Sequence, residues 1–192
     1  QSTSSVQTTT SDAVRDTAIL PQQYLLFVPF TSQAPEKNWD EPWQSACEEA
    51  AVLMLDAYYK GYSLSPLFAK DEILKMIKWE EKLGWGTSIE IGKVKELVER
   101  FVSLDHIITT SLHHVRIVEN PTTDDIKQFI ANGQPVLVMA DGKVLPNPHF
   151  RNGGPVYHAL IIRGYTETEF ITNDPGTQFG KGFRYKYEDL LN

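Results

Sequence analysis

Apolar positions in this chain change their spacing from one half to the other. The opening stretch, QSTSSVQTTTSD, has almost none. It cannot bury enough surface to offset its ordering entropy, so residues 1–20 are expected to form a flexible Ser/Thr-rich tail. The folded domain is expected to fill residues 21–192. Within it, Tyr24 to Phe30 reads as a strand, stopped by the polar, Pro-bearing loop TSQAPEKNWDEPW. Cys47, Ala50, Ala51, Met54 and Tyr58 then recur at helical spacing, and Gly61 offers a C-terminal stop. Two further helical patterns cover Asp71 to Leu83 and about Ile89 to Val102, on either side of the Gly84–Gly86 break.

Strand patterns then take over. His106 to Val118 is irregular with strand character, and Pro121-Thr122-Thr123 leads into DDIKQFIAN. That segment predicts a short helix with a Thr cap, an acidic first turn and a closing Gly133. Pro135 to Ala140, PVLVMA, reads as a buried strand. A Pro/Gly/Asn loop from Asp141 to Pro155 precedes an expected hairpin over Val156 to Asp174. Alternation at Phe183, Tyr185 and Tyr187 predicts a last strand with a short helical tail. Helices first and strands second imply a single α+β domain rather than a doubly wound sheet.

Composition narrows the function classes. Of 192 residues, 41% are hydrophobic, with 9 Phe, 8 Tyr and 4 Trp, enough for a substantial core. Net charge is −7, and no Lys/Arg block interleaves with aromatics, so no nucleic-acid partner is expected. No apolar run approaches the ~20 residues of a membrane helix, so the chain is not expected to span a bilayer. The single cysteine, Cys47, excludes an internal disulfide framework and any multi-thiolate metal site. It leaves a buried passenger, an intermolecular bridge or a nucleophile.

Cys47 falls at the start of its helix, where the dipole and free N–H groups favour thiolate. Glu48 and Glu49 beside it favour the neutral thiol, and its place on the apolar stripe also fits a buried passenger. Among the five histidines, His113 and His114 are adjacent and would point to opposite faces of a strand. His106 and His149 have contexts that suit structural or surface roles. His158 sits inside PVYHALIIRGY with apolar neighbours and must find a polar partner. A hairpin closed by the three-residue loop Tyr165-Thr166-Glu167 would set Asp174 directly opposite it, with Asn173 on the other face. A two-residue loop would break that pairing. A carboxylate orienting a histidine is either half of a nucleophilic triad or a structural bond in a hairpin. No HExxH, GxxxxGK[ST] or GxSxG motif is present.

Taken in order, VPFTSQAPEKNW, PWQSACEEAA, IKQFIANGQPVLV, GGPVYHALIIRGY and ITNDPG resemble the stand-alone bacterial C-thirty-nine-like papain-fold peptidases. These are relatives of the double-glycine peptidase domains that trim bacteriocin leaders on export transporters. The resemblance covers about Gln23 to Leu191. It implies a papain-like cysteine peptidase fold, with an N-terminal helical part carrying the Cys packed on a C-terminal antiparallel sheet carrying His and Asp. Cys47 then matches the nucleophile, His158 the general base and Asp174 the residue that orients it. Gln33 matches the oxyanion donor, with Gln44 the nearer alternative. The chain departs from the family where Cys-Gly is replaced by Cys47-Glu48, and a double-glycine leader is not an implied substrate.

On this resemblance the expected activity is hydrolysis of a peptide or amide bond in a peptide or protein substrate, through a thioester, with no cofactor and no metal. Trp39, Trp43 and Tyr157 either wall the cleft or belong to the core. The alternatives are an inactive papain-fold binding module on the cell surface, or an amidase or acyltransferase with the same three residues. The Ser/Thr tail and family habit suggest a secreted or surface protein, expected to be a monomer.

Overall fold

Helical spacing at residues 47–58 does produce a helix, α1 (Cys47–Lys60), and Gly61 ends it in the left-handed conformation at φ 72°. The computed structural model describes residues 20–102 and 115–191. The expected tail up to residue 19 lies outside the described residues, as do His106, His113 and His114. α1 is more enclosed than its apolar stripe predicts: residues 47–57 are all buried, because α2 (Pro66–Lys82), α3 (Ile91–Phe101) and the sheet pack around it.

α2 begins five residues before the expected Asp71. The Ser65 hydroxyl accepts the Phe68 N–H at 3.3 Å and Pro66 occupies the first turn. Leu67 and Phe68 in that turn are exposed, so apolar periodicity does not register it. α3 follows a loop in which Trp85 packs edge-on against Trp79 of α2, which also meets Phe101. α4 (Thr123–Ala131) carries the expected cap in full. Thr122 Oγ1 accepts the Asp125 N–H, and the Asp125 carboxylate accepts the Thr122 N–H.

The sheet has five antiparallel strands: β1 (Tyr24–Leu25), β2 (Val136–Ala140), β3 (His158–Tyr165), β4 (Glu169–Asn173) and β5 (Lys181–Lys186). β3 is central, with β4 on one side and β1 and β2 sharing the other, and β5 lies beyond β4. The strand expected over Tyr24 to Phe30 is mostly absent: past Leu25 one more main-chain bond, Leu26 N–H to Arg163 O at 2.7 Å, joins β3 before the chain leaves the ladder. Its main-chain carbonyls are taken up by side chains instead. Arg163 Nε donates to Leu26 O at 3.0 Å, and Asn173 Nδ2 donates to Val28 O and Pro29 O at 3.1 and 3.2 Å. β2 is half-buried rather than buried, because β3 is its only strand partner among the described residues. Tyr187 opens the terminal helix α5 (Tyr187–Leu191) instead of extending β5, and its ring packs on Phe170.

A pair of acids lies between α1 and α2. Glu49 and Glu80 are both buried, and each acts on the other's ionisation. Burial and the charges of Glu80 and Glu48 hold Glu49 well above the carboxylate range, so it keeps its proton. Burial pushes Glu80 up to about 7. A folded value above the unfolded ~4.3 contributes stability that is complete below that value and lost as pH rises through about 7. Glu80→Gln is therefore expected to match the wild type in thermal unfolding near pH 4.5 and to exceed it at pH 8. Parallel decline of both proteins over that range would refute the assignment.

Candidate active site

The hairpin of β3 and β4 brings His158 and Asp174 together by a route different from the expected one. Its turn has two residues, since Tyr165 pairs with Phe170 and the Thr166 N–H bonds to Glu169 O. Alone, that turn would put His158 and Asp174 on opposite faces. A β-bulge at Arg163 adds one residue to β3 and restores the parity, with Ile162 opposite Thr172 and Ile161 opposite Asn173. Asp174 therefore lies just past the ladder and diagonal to His158, not directly opposite it. His158 Nε2 and Asp174 Oδ1 are 2.7 Å apart, and both side chains are 0% exposed.

Asp174 is held by four hydrogen bonds. Oδ1 also accepts the Gly176 N–H at 2.9 Å, while Oδ2 accepts Tyr185 Oη–H at 2.6 Å and Asn147 Nδ2–H at 3.1 Å. Burial alone would raise its pKa, but the His158 charge and these donors hold the carboxyl below its ordinary value. The site needs a glycine at 176, because a Cβ there would come within 2.8 Å of His158 Cε1. Phe150 packs edge-on against the imidazole with centroids 5.2 Å apart. His158 Nδ1 has no hydrogen-bond partner.

Cys47 starts α1 and is 4% exposed. Its thiol donates to Glu48 Oε2 at 2.9 Å and makes no hydrogen bond to His158. Burial pushes the thiol pKa well up, and the charge and acceptor of Glu48 push it further, while the nearby Ala159 N–H acts the other way. The uncapped start of α1 thus has an acid competing with its dipole. Glu48 Oε1 accepts the Ile89 N–H at 2.9 Å, and Ile89 O accepts Tyr157 Oη–H at 2.5 Å. Tyr157 is half-buried and joined to the Cys47 side of the site through that chain of bonds.

Gln33 lies at the start of the loop, buried, with its N–H bonded to Pro175 O at 3.0 Å. Both hydrogens of its side-chain amide are taken by Trp43 O and Gln44 O, each at 2.9 Å. In this geometry Gln33 secures the segment leading into α1, and an oxyanion could be served only by giving up one of these bonds. Gln44 is exposed and turned towards Glu41 at 3.4 Å. Trp43 is half-buried and packs against the core. His149 is exposed, with its ring tilted against Phe179 and its main-chain N–H bonded to Asn147 Oδ1 at 3.0 Å. Among the described residues, no group of three His, Cys, Asp or Glu side chains is arranged to hold a metal ion.

Sequence reasoning missed Asn147 and Tyr185. Asn147 lies in an irregular Pro-rich loop that gives no periodic signal. Tyr185 was readable as a strand residue, and a buried phenol calls for a partner, but nothing local names Asp174 as that partner. A depressed folded pKa at Asp174 contributes stability present above its unfolded value of ~3.9 and lost as pH falls through the folded one. Asp174→Asn is accordingly expected to be less stable than wild type to urea at pH 7. The gap should narrow as pH falls below about 4. A gap that does not change with pH would contradict the charged, donor-bound carboxylate.

Similarities to known proteins bear on the fold and the family. A solved structure described as that of a candidate C39-like peptidase from Bacillus anthracis superposes with a TM-score of 0.55. The match covers 89% of this chain and 91% of that one at 14% identity, which speaks to the fold. A search of curated proteins finds no match. The sequence matches the Peptidase_C39 like family over residues 25–191, a span that takes in α1 and the whole sheet apart from Tyr24. With helices around a Cys-bearing α1 and a curled antiparallel sheet behind it, this α+β chain has the papain-like fold and belongs to the Peptidase_C39 like family.

Proposed function

We propose that the protein is a cysteine peptidase that cleaves a peptide or amide bond through Cys47, His158 and Asp174. The observation that carries this reading is the buried His158–Asp174 pair, which presents an unpartnered Nδ1 beside the strand that α1 packs against. With Nε2 held by Asp174, Nδ1 is the nitrogen left to exchange a proton.

In the first step the Cys47 proton passes to His158 Nδ1 and the sulfur attacks the carbonyl carbon. A C–S bond forms and the carbonyl electron pair moves to oxygen. The Cys47 N–H at the uncapped start of α1 is a main-chain donor for that oxyanion, worth about 3 kcal/mol for a well-placed bond. Collapse breaks the C–N bond, and His158 returns its proton to the leaving amine. Water, deprotonated by His158, then attacks the thioester and releases the acid and the thiol. Asp174 keeps the ring in place and offsets the imidazolium charge. A secreted or surface site of action is part of the same proposal.

Cys47→Ala and His158→Ala are each expected to lower the rate of cleavage of a denatured protein substrate by on the order of 10³-fold or more. Hydroxylamine added during turnover should divert product to the hydroxamate, which marks a thioester on the path. Undiminished cleavage by Cys47→Ala would rule the mechanism out.

A further inference from the structure

Glu48 is the side chain at the site for which the peptidase steps have no use. It is 1% exposed, so it is neither a solvated helix-start carboxylate nor a surface ion-pair partner. Each of its oxygens has a definite donor: the Cys47 thiol at 2.9 Å on Oε2 and the Ile89 N–H at 2.9 Å on Oε1. The second bond fixes the first, because Ile89 is itself tied through its carbonyl to Tyr157, the residue before His158. Meanwhile His158 Nδ1, fully buried, has nothing to bond. A site built around a resting thiolate–imidazolium pair would show the reverse, with sulfur and Nδ1 joined and no carboxylate on the thiol.

We propose that Glu48 is a positioning residue that holds the Cys47 proton at rest and keeps the thiol from His158 until substrate breaks the Glu48 contact. The proposal rests on the cysteine-peptidase reading and adds the state from which that reaction starts. Activation is a proton exchange with no other reactant: the S–H···Oε2 bond opens and the S–H proton moves to Nδ1. Glu48 remains a carboxylate on Ile89. Substrate can trigger this because the same bonds run to Tyr157 and to the loop before α3, so a peptide entering between them displaces Ile89 and with it Glu48.

The titratable groups acting with Glu48 favour this resting state. Glu49 on the same helix keeps its proton and Glu80 from α2 is raised to about 7, so the negative charge nearest the sulfur is that of Glu48. Burial raises the Glu48 pKa, and the Cys47 and Ile89 donors lower it. Tyr157 lies across the site, and His158 from β3 is the nearby group able to become positive. Among the described residues no lysine or arginine forms a salt bridge with Glu48. Negative charge next to the sulfur opposes thiolate, and the same charge helps an imidazolium once the proton has moved.

Alkylation of Cys47 by iodoacetamide across pH, with the adduct located by mass spectrometry, tests this directly. In the wild type the alkylation midpoint is expected above the free-thiol value of ~8.5. A midpoint below about 7 would overturn the proposal, whatever the variants do, and would leave a resting Cys47–His158 pair intact. Glu48→Gln keeps an oxygen for the Ile89 N–H but presents an amide donor to the sulfur. With circular dichroism confirming the fold, its midpoint should fall by a unit or more, about tenfold faster alkylation near pH 6.5. Adding His158→Ala should cancel that gain. If the gain survives without His158, the hold by Glu48 stands and the peptidase reading falls. Slower alkylation of Glu48→Gln at every pH would overturn the proposal by making Glu48 itself the base.

Discussion

A carboxylate with no exposed surface can stay charged only if donors reach it from several directions, and at Asp174 they come from four parts of the C-terminal half. His158 arrives on β3, Asn147 from the long loop before it, Gly176 from the turn after β4 and Tyr185 from β5. Each of those segments is held to the same point. The loop 141–157 is pinned through Asn147, and the turn 174–180 is pinned by the bond from Asp174 N–H to Gly180 O. The N-terminal loop joins the same turn where Ser32 and Gln33 bond to Pro175 O. Asp174 thus orients an imidazole and also sets where the segment leading to α1 meets the sheet.

That arrangement explains what could be read in the sequence and what could not. α1 and the Thr cap of α4 follow from spacing, because periodicity and capping are local properties. The β3–β4 hairpin forms, but His158 and Asp174 share a face through a register that spacing does not give. Its turn is one residue shorter than expected, and only the bulge at Arg163 brings the two side chains back to one face. Arg163 bulges where its guanidinium can reach Leu26 O and Asn173 Oδ1, a tertiary demand no local pattern records. The truncated β1 has the same cause, since the carbonyls after Leu25 are met by side chains distant in sequence. Asn147 and Tyr185 contribute to the site through contacts of that kind.

Composition also said less about charge than the packing does. Glu48 and Glu49 stand in the first turn of α1, where acids in solvent complement the dipole. Here α1 is the central helix and its first turn is buried, so both acids become part of the interior. Their fates differ with what lies opposite. Glu49 faces another acid and keeps its proton, whereas burial raises Glu48 less far because a thiol and a main-chain N–H bond its carboxyl.

The same burial that shields the His158–Asp174 pair therefore works against ionisation of the Cys47 thiol. Enclosing α1 strengthens the bonds that hold His158, because water no longer competes for Asp174, but it also removes the solvent that would stabilise a thiolate. A reactive sulfur in such a place needs a positive partner at short range, and the group able to supply it is an imidazole whose free nitrogen is unengaged. On the proposed mechanism, opening the Cys47–Glu48 bond would connect the two halves of the fold, with α1 supplying the sulfur and the sheet the ring. An uncommitted Nδ1 is a buried polar atom that such a connection would satisfy.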